Sequence, residues 1–194
     1  MNKLIFTVLF IGIQASIFAH PHIFIKTELT VCFDNEGISK FKVKYNFDKI
    51  FSADLKQNFD ANKNNIFEAS EIETIRTKAF SNLVNYNYFI HLKIGGEKIK
   101  NGKISNFKAV ITKTGVYYTF NINTHIPIGK TKKVFKIATY DHSYFISVNY
   151  KKESIKFENT GNYIFTHKTI EDKTQAYYYK QIYPECVILS VRQK

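Results

Sequence analysis

Ile23-Phe24-Ile25-Lys26-Thr27-Glu28-Leu29-Thr30-Val31-Cys32-Phe33 is the stretch on which the fold turns. Ile23, Ile25, Thr27, Leu29, Val31 and Phe33 fall on one face, and His22, Phe24, Lys26, Glu28, Thr30 and Cys32 on the other. Period two over this length marks a half-buried β-strand. Asp34-Asn35-Glu36-Gly37 makes a turn, and a second alternating strand follows. It points Phe41, Val43, Tyr45 and Phe47 inward and Lys40, Lys42 and Lys44 outward. The three lysines read as a solvated strand face.

The period then changes. Phe51, Leu55 and Phe59 are spaced by four, and after a polar loop Ile72, Ile75, Ala79, Phe80 and Leu83 continue at helical spacing. The rest of the chain returns to β. Tyr88 to Ile94 alternates and ends on Gly95-Gly96. Phe107–Thr112 and Val116–Ile122 flank Lys113-Thr114-Gly115 as a hairpin, and Val134–Tyr140 and Tyr144–Tyr150 flank Asp141-His142-Ser143 as a second. Weaker strand signals lie at Ser154–Glu158 and Asn162–His167, and Val187, Leu189 and Val191 close the chain as a strand. The expectation is a mainly β fold with an α insertion. A single antiparallel β-sandwich-like domain, residues 20–194, carries an EF-hand-like helix-loop-helix at about residues 48–87.

The N-terminus reads as an export signal. Lys3 supplies the positive region, Leu4 to Ile13 is apolar apart from Thr7 and Gly12, and Ala19 is the small residue before a cut. Residues 1–19 are therefore expected to be a signal peptide and the working protein periplasmic, beginning at His20. An apolar run this short does not span a bilayer core of ~30 Å.

The formal charge is +12, and Arg76 and Arg192 are the only arginines. Bidentate recognition of phosphate and base edges favours arginine, and the lysines are spread along the whole chain, so nucleic acid is not an expected partner. A solvated lysine-rich surface is the plain reading, with an anionic partner such as a membrane surface as the alternative. Cys32 and Cys186 are the two cysteines. Export makes a disulfide between them one expectation and two inert thiols the other.

The most specific motif is Asp60-Ala61-Asn62-Lys63-Asn64-Asn65-Ile66-Phe67-Glu68-Ala69-Ser70-Glu71. An EF-hand calcium loop takes side-chain oxygens from its first, third and fifth positions, a backbone carbonyl from the seventh, and a bidentate glutamate from the twelfth. Here these are Asp60, Asn62, Asn64, Ile66 and Glu71, with Glu68 at the ninth position acting directly or through water. Asn65 stands where glycine is expected for the sharp turn, and asparagine is the next best residue at positive φ. Three charged ligands suggest modest affinity, in the ~10⁻⁴ to 10⁻³ M range of extracellular modules. The alternative is a polar loop that only caps the second helix.

Cleavage after Ala19 leaves His20-Pro21-His22 at the free end. His20 and His22 share one strand face about 7 Å apart, so their imidazoles and the new α-amine could meet on one metal. Imidazole suits zinc, copper or nickel. Pro21 has no amide hydrogen, which excludes a square-planar site through that amide. The alternative is a frayed end with two exposed histidines. His91, His125, His142 and His167 are scattered and read as surface or turn residues, although one could complete the site. Asp141-His142-Ser143 holds triad residue types, but three consecutive turn residues do not adopt triad geometry.

With these residues in view, the chain resembles the domain of unknown function 1007 family. The resemblance rests on a signal peptide ending in Ala19, His20-Pro21-His22-Ile23-Phe24-Ile25, Phe47-Asp48 before the helices, the Asp60 to Glu71 loop, and Tyr140-Asp141 before a Tyr-Phe strand. Asn62, Asn64 and Asn65 stand where that family more often carries Asp and Gly. The resemblance implies a bacterial periplasmic component of a transport system, associated with nickel/cobalt-type permeases, and hence a role in metal-ion handling. The expected function is that of a non-catalytic periplasmic metal-ion-binding protein. It would be an accessory of a metal transport system of the nickel, cobalt or zinc type, with a membrane permease as partner and calcium in the Asp60 to Glu71 loop. The alternative is a structural or adhesive envelope module in which calcium only braces the fold.

Overall fold

Alternation at residues 23–33 and 41–47 is realised as a hairpin of β1 (Ile23–Phe33) and β2 (Gly37–Phe47), with Thr27 opposite Tyr45, Leu29 opposite Val43 and Val31 opposite Phe41. These and all further features come from a computed structural model that describes residues 21–194, without the side chains of residues 151 and 152. The expected signal peptide, residues 1–19, and His20 lie outside the described residues.

After the hairpin come α1 (Lys49–Phe59), α2 (Ala69–Lys78) and a 3₁₀ segment (Phe80–Phe89). Eight strands follow: β3 (Ile90–Ile94), β4 (Glu97–Ile99), β5 (Ile104–Thr112), β6 (Gly115–Pro127), β7 (Lys133–Thr139), β8 (Ile146–Glu158), β9 (Tyr163–Glu171) and β10 (Glu185–Gln193). They form two five-stranded sheets, ordered β5-β6-β2-β1-β8 and β4-β3-β7-β10-β9. The inner faces share one core. Leu29, Val31, Phe41, Val43, Tyr45 and Phe120 enter it from the first sheet, and Phe135, Ile137, Val187 and Leu189 from the second. The fold is mainly β and sandwich-like, with the helical segment inserted between β2 and β3.

Helix α1 starts where Asp48 caps it. Oδ1 accepts the Ile50 and Phe51 amides at 2.8 and 2.9 Å, satisfying donors that a helix start leaves open. The helix is pinned to the sheet by Ser52, whose buried Oγ accepts the Val116 amide at 2.9 Å. Gly115 permits this approach, because a Cβ there would lie 2.8 Å from that Oγ. On the outer face of the first sheet, Lys42 and Lys44 pair with Glu158 and Glu28, so the outward lysines of β2 are partly neutralised.

Four expectations are corrected. The first sheet is mixed and not wholly antiparallel, because β8 runs parallel to β1, with Ile25 opposite Val148 and Val31 opposite Phe157. The segments around Asp141-His142-Ser143 are not a hairpin. Strand β7 belongs to the second sheet and β8 to the first, and the turn carries the chain across the core to the free edge of β1. Strand character begins at Ile90 rather than Tyr88. Asn87, Tyr88 and Phe89 take φ of +54°, +50° and +55°, and this left-handed turn sets the Phe89 ring in the core and the Tyr88 ring against Phe80 and Phe120.

The fourth correction concerns the disulfide: Cys32 and Cys186 are both free and buried. Both take the non-core phase of their strands, as the pattern suggests, but they lie on the outer faces of opposite sheets. The Cys32 thiol faces Glu158 Oε2 at 3.5 Å, while Cys186 sits under Tyr140 and Tyr177 in a second apolar cluster. Burial, followed by the Glu158 carboxylate, pushes the Cys32 thiol up to about 11, and burial followed by Asp172 pushes Cys186 up to about 12. Thiolate is the reactive form, so both thiols are inert at neutral pH. A thiol reagent at pH 8 is expected to label neither cysteine in the native protein and both after unfolding. Dithiothreitol should leave the melting temperature unchanged, and a fall with reductant would restore the disulfide.

Candidate metal sites

The loop between α1 and α2 is organised around two nearly buried carboxylates. Asp60 accepts the Asn64 amide on Oδ1 at 3.1 Å and the Asn65 amide on Oδ2 at 3.0 Å. Glu71 accepts the Ala61 amide on Oε1 at 2.8 Å and the Glu68 amide on Oε2 at 3.0 Å. The side-chain oxygens of Asn62 and Asn64 accept the Asn64 and Ile66 amides at 3.1 and 2.8 Å. Their amide groups then donate to Glu68, Asn62 Nδ2 to Oε2 at 2.8 Å and Asn64 Nδ2 to Oε1 at 2.7 Å. The turn is made by Asn65, in the left-handed region at φ +63°. Phe67 is buried in the common core and Ile66 is exposed, so the loop is tied down at its eighth position.

Each of the Asp60, Asn62, Asn64 and Glu71 oxygens named above uses a lone pair on a backbone amide and keeps another. Glu68 is engaged by the two asparagine amides and by the capping box of α2, in which its side chain accepts from the Glu71 backbone amide. Accordingly, among the described residues no three His, Cys, Asp or Glu side chains converge as a ready-made metal cluster. An incoming cation would have to draw Glu68 and the asparagines round.

The N-terminal strand is held at the other end of β1. Its His22 amide donates to the Phe145 carbonyl at 2.9 Å, and the exposed His22 ring packs on Phe145 with centroids 4.9 Å apart. Asp48, besides capping α1, accepts the Phe24 amide on Oδ2 at 2.8 Å. Asp141 holds the facing turn. Its Oδ1 accepts the Ser143 amide at 3.0 Å, and its Oδ2 accepts the Ser143 hydroxyl at 2.6 Å and the Ile146 amide at 3.1 Å. The motif aspartates at 48 and 141 thus have local structural reasons. Asp141 meets Ser143 directly with no imidazole between them, so the residues are not arranged as a triad.

The histidines are less scattered than their spacing implies. His91 at the start of β3 stacks on Tyr140 at 4.0 Å, and His142 lies edge-on at 5.2 Å from His91 and 4.7 Å from Tyr140. No spacing in the sequence signals this pair, because β3 and the 140–145 turn are brought together only by the β3–β7 pairing. Burial holds the His91 imidazole down at about 4 despite the Tyr140 carbonyl beside it. The unfolded chain takes up that proton near ~6.5, so stability from this group is present above that pH and is lost as pH falls toward 4. His125 lies on the surface beside Glu36 at 3.2 Å, and His167 packs on Phe157 at 4.7 Å.

Fold and loop together define a two-sheet β protein that carries an oxygen-rich helix-loop-helix. The chain belongs to the DUF1007 family, described as proteins of unknown function, whose profile matches residues 5–182. It is similar to an uncharacterised protein of Haemophilus influenzae, 24% identical over 175 residues, covering 85% of this chain and 81% of that protein. It is also similar to an uncharacterised 15.5 kDa protein in the trpE 3′ region of Spirochaeta aurantia, 29% identical over 96 residues, covering 48% of this chain and 66% of that one. No solved structure gives a significant match.

Proposed function

We propose that the protein is a non-catalytic metal-ion-binding protein of the periplasm, an accessory component of a nickel-, cobalt- or zinc-type transport system. Its helix-loop-helix acts as an EF-hand-like calcium loop that braces the fold. The observation that carries the calcium part is the left-handed Asn65, which makes the turn normally left to glycine at the sixth position of such loops. The two buried carboxylates stand at the first and twelfth positions. The transport part is supported by the resemblance of the N-terminal His20-Pro21-His22 and the Asp48 and Asp141 motifs to a family associated with metal permeases. The second reading, an envelope module only braced by calcium, is favoured by the anchoring of the loop through Phe67 and Ile75 into the common core.

The N-terminal site separates these readings. His22 is exposed and its backbone is fixed to Phe145, so the side chain is presented at a defined place. If both imidazoles and the α-amine of a chain starting at His20 share one ion, moving the terminus should be as damaging as removing a ligand. Titration of the mature protein with zinc, copper or nickel is expected to give tighter binding than titration of a version with one extra N-terminal residue. His22→Ala should match the extended version. Equal affinity in all three would remove this site and leave the bracing module as the better reading.

A further inference from the structure

We infer that His91 and His142 form a second transition-metal site, separate from the N-terminal histidines and from the calcium loop, taking one borderline divalent ion of the zinc class through two imidazoles.

The tautomer of His91 is dictated by its neighbour. Nε2 lies 3.0 Å from the Tyr140 carbonyl oxygen, and a carbonyl only accepts, so Nε2 carries the hydrogen. Nδ1 is left as a bare lone pair, and among the described residues no hydrogen bond engages it. A ring nitrogen fixed by a backbone carbonyl while the other stays open is the way proteins orient a metal-binding imidazole. Stacking on Tyr140 and burial of Phe89 and Ile90 just before it hold the ring in place.

His142 supplies the second donor from an exposed turn position. With a Zn–N distance of ~2.0–2.1 Å and ~1.1 Å from nitrogen to ring centre, two imidazoles on a tetrahedral ion have centres about 5 Å apart. The observed separation is 5.2 Å with the ring planes at 76°, which matches the spacing of two imidazoles on one ion. The turn that carries His142 is itself fixed by Asp141, whose three hydrogen bonds hold residues 141–146. Two protein donors leave the remaining positions to water or to a ligand carried with the ion, which suits loose, exchangeable binding.

This site extends the metal-handling reading but does not depend on the N-terminal ligands, and the experiment keeps them apart. The mature protein bearing His20→Ala and His22→Ala is titrated with zinc in excess calcium against a chromophoric chelator. One micromolar-class equivalent is expected to remain. Adding His142→Ala should weaken it by about 10–100-fold or more, since losing a direct ligand harms affinity at least as much as losing an outer partner. His142 is exposed, so this variant keeps its fold, and an unchanged melt in chelator verifies that. Imidazole ¹⁵N spectra supply a second readout without mutation: His91 should appear as the Nε2–H tautomer, and zinc should shift its Nδ1. If the His20→Ala, His22→Ala protein binds no zinc at micromolar concentration while the unmutated protein does, the inference is overturned and the N-terminal site stands; if His142→Ala changes nothing, the inference is overturned whatever holds at the N-terminus. If the unmutated protein binds no zinc at all, both fail together.

Discussion

Phe120→Ala is expected to destabilise the protein by about 3–5 kcal/mol, the range for emptying an aromatic core position. Phe120 is 1% exposed. Its ring meets Tyr45 at 5.3 Å within the first sheet, and Phe80 at 5.0 Å and Tyr88 at 6.0 Å in the 3₁₀ segment. It is therefore one of the places where the inserted helical segment is joined to the sheet, beside the Ser52–Val116 bond and the Phe80–Phe107 stack. A cavity there removes packing from three rings at once, and a close-packed interior collapses only partly around it. Urea unfolding of the variant beside Ile50→Ala checks this, because Ile50 is 82% exposed and its truncation should stay within about 0.5 kcal/mol. Hydrogen exchange in the variant should rise first in residues 80–89. A loss below about 1 kcal/mol would mean that the aromatic cluster is not what holds the insertion.

Glu71→Gln should have the second large effect, in two separable parts. In chelator, the amide presents an NH₂ where the carboxylate accepted from both Ala61 and Glu68. One backbone donor then loses its partner in a site that is 8% exposed, at about 1–3 kcal/mol. In calcium, the unmutated protein should gain RT ln(1 + [Ca]/Kd), about 1.4 kcal/mol at ten times Kd, or about 3–6 °C in melting temperature for a chain of this size. Glu71→Gln should lose that gain entirely, since the bidentate ligand is gone. Melts of both proteins in millimolar calcium and in chelator measure the two parts independently. A calcium-independent melt in the unmutated protein refutes the calcium loop, even if the chelator difference between the two proteins is found.

Much of this architecture was readable along the chain because it is written in local periods. The inward and outward phases of β1 and β2, the β5–β6 hairpin and the helix-loop-helix around Phe51, Leu55, Ile72 and Ile75 all follow from residues within a few positions of one another. The polar segment between the two helices was legible for the same reason, as a break between two runs of helical spacing, and within it Asn65 takes a positive φ. Where the pattern misled, the local signal had two realisations. Tyr88 alternates correctly for a strand, yet burying its ring against Phe80 called for a left-handed turn.

What the sequence by itself determined is therefore which faces are apolar, the order of strand and helix segments along the chain, and which residue types could ligate a metal. What only the tertiary structure decided is which strand meets which. Alternation tells a residue's face but not its sheet, so Cys32 and Cys186 are both outward and yet lie on opposite sides of the core. Two strands flanking a three-residue turn signal look like a hairpin until β8 finds its free edge beside β1 and pairs there in parallel. His91 and His142, far apart in sequence, touch because β3 pairs with β7 and the 140–145 turn follows β7 directly. Strand pairing is a non-local contest among many edges of similar hydrophobic pattern, settled by how all the side chains pack at once, and no short window of residues carries that information.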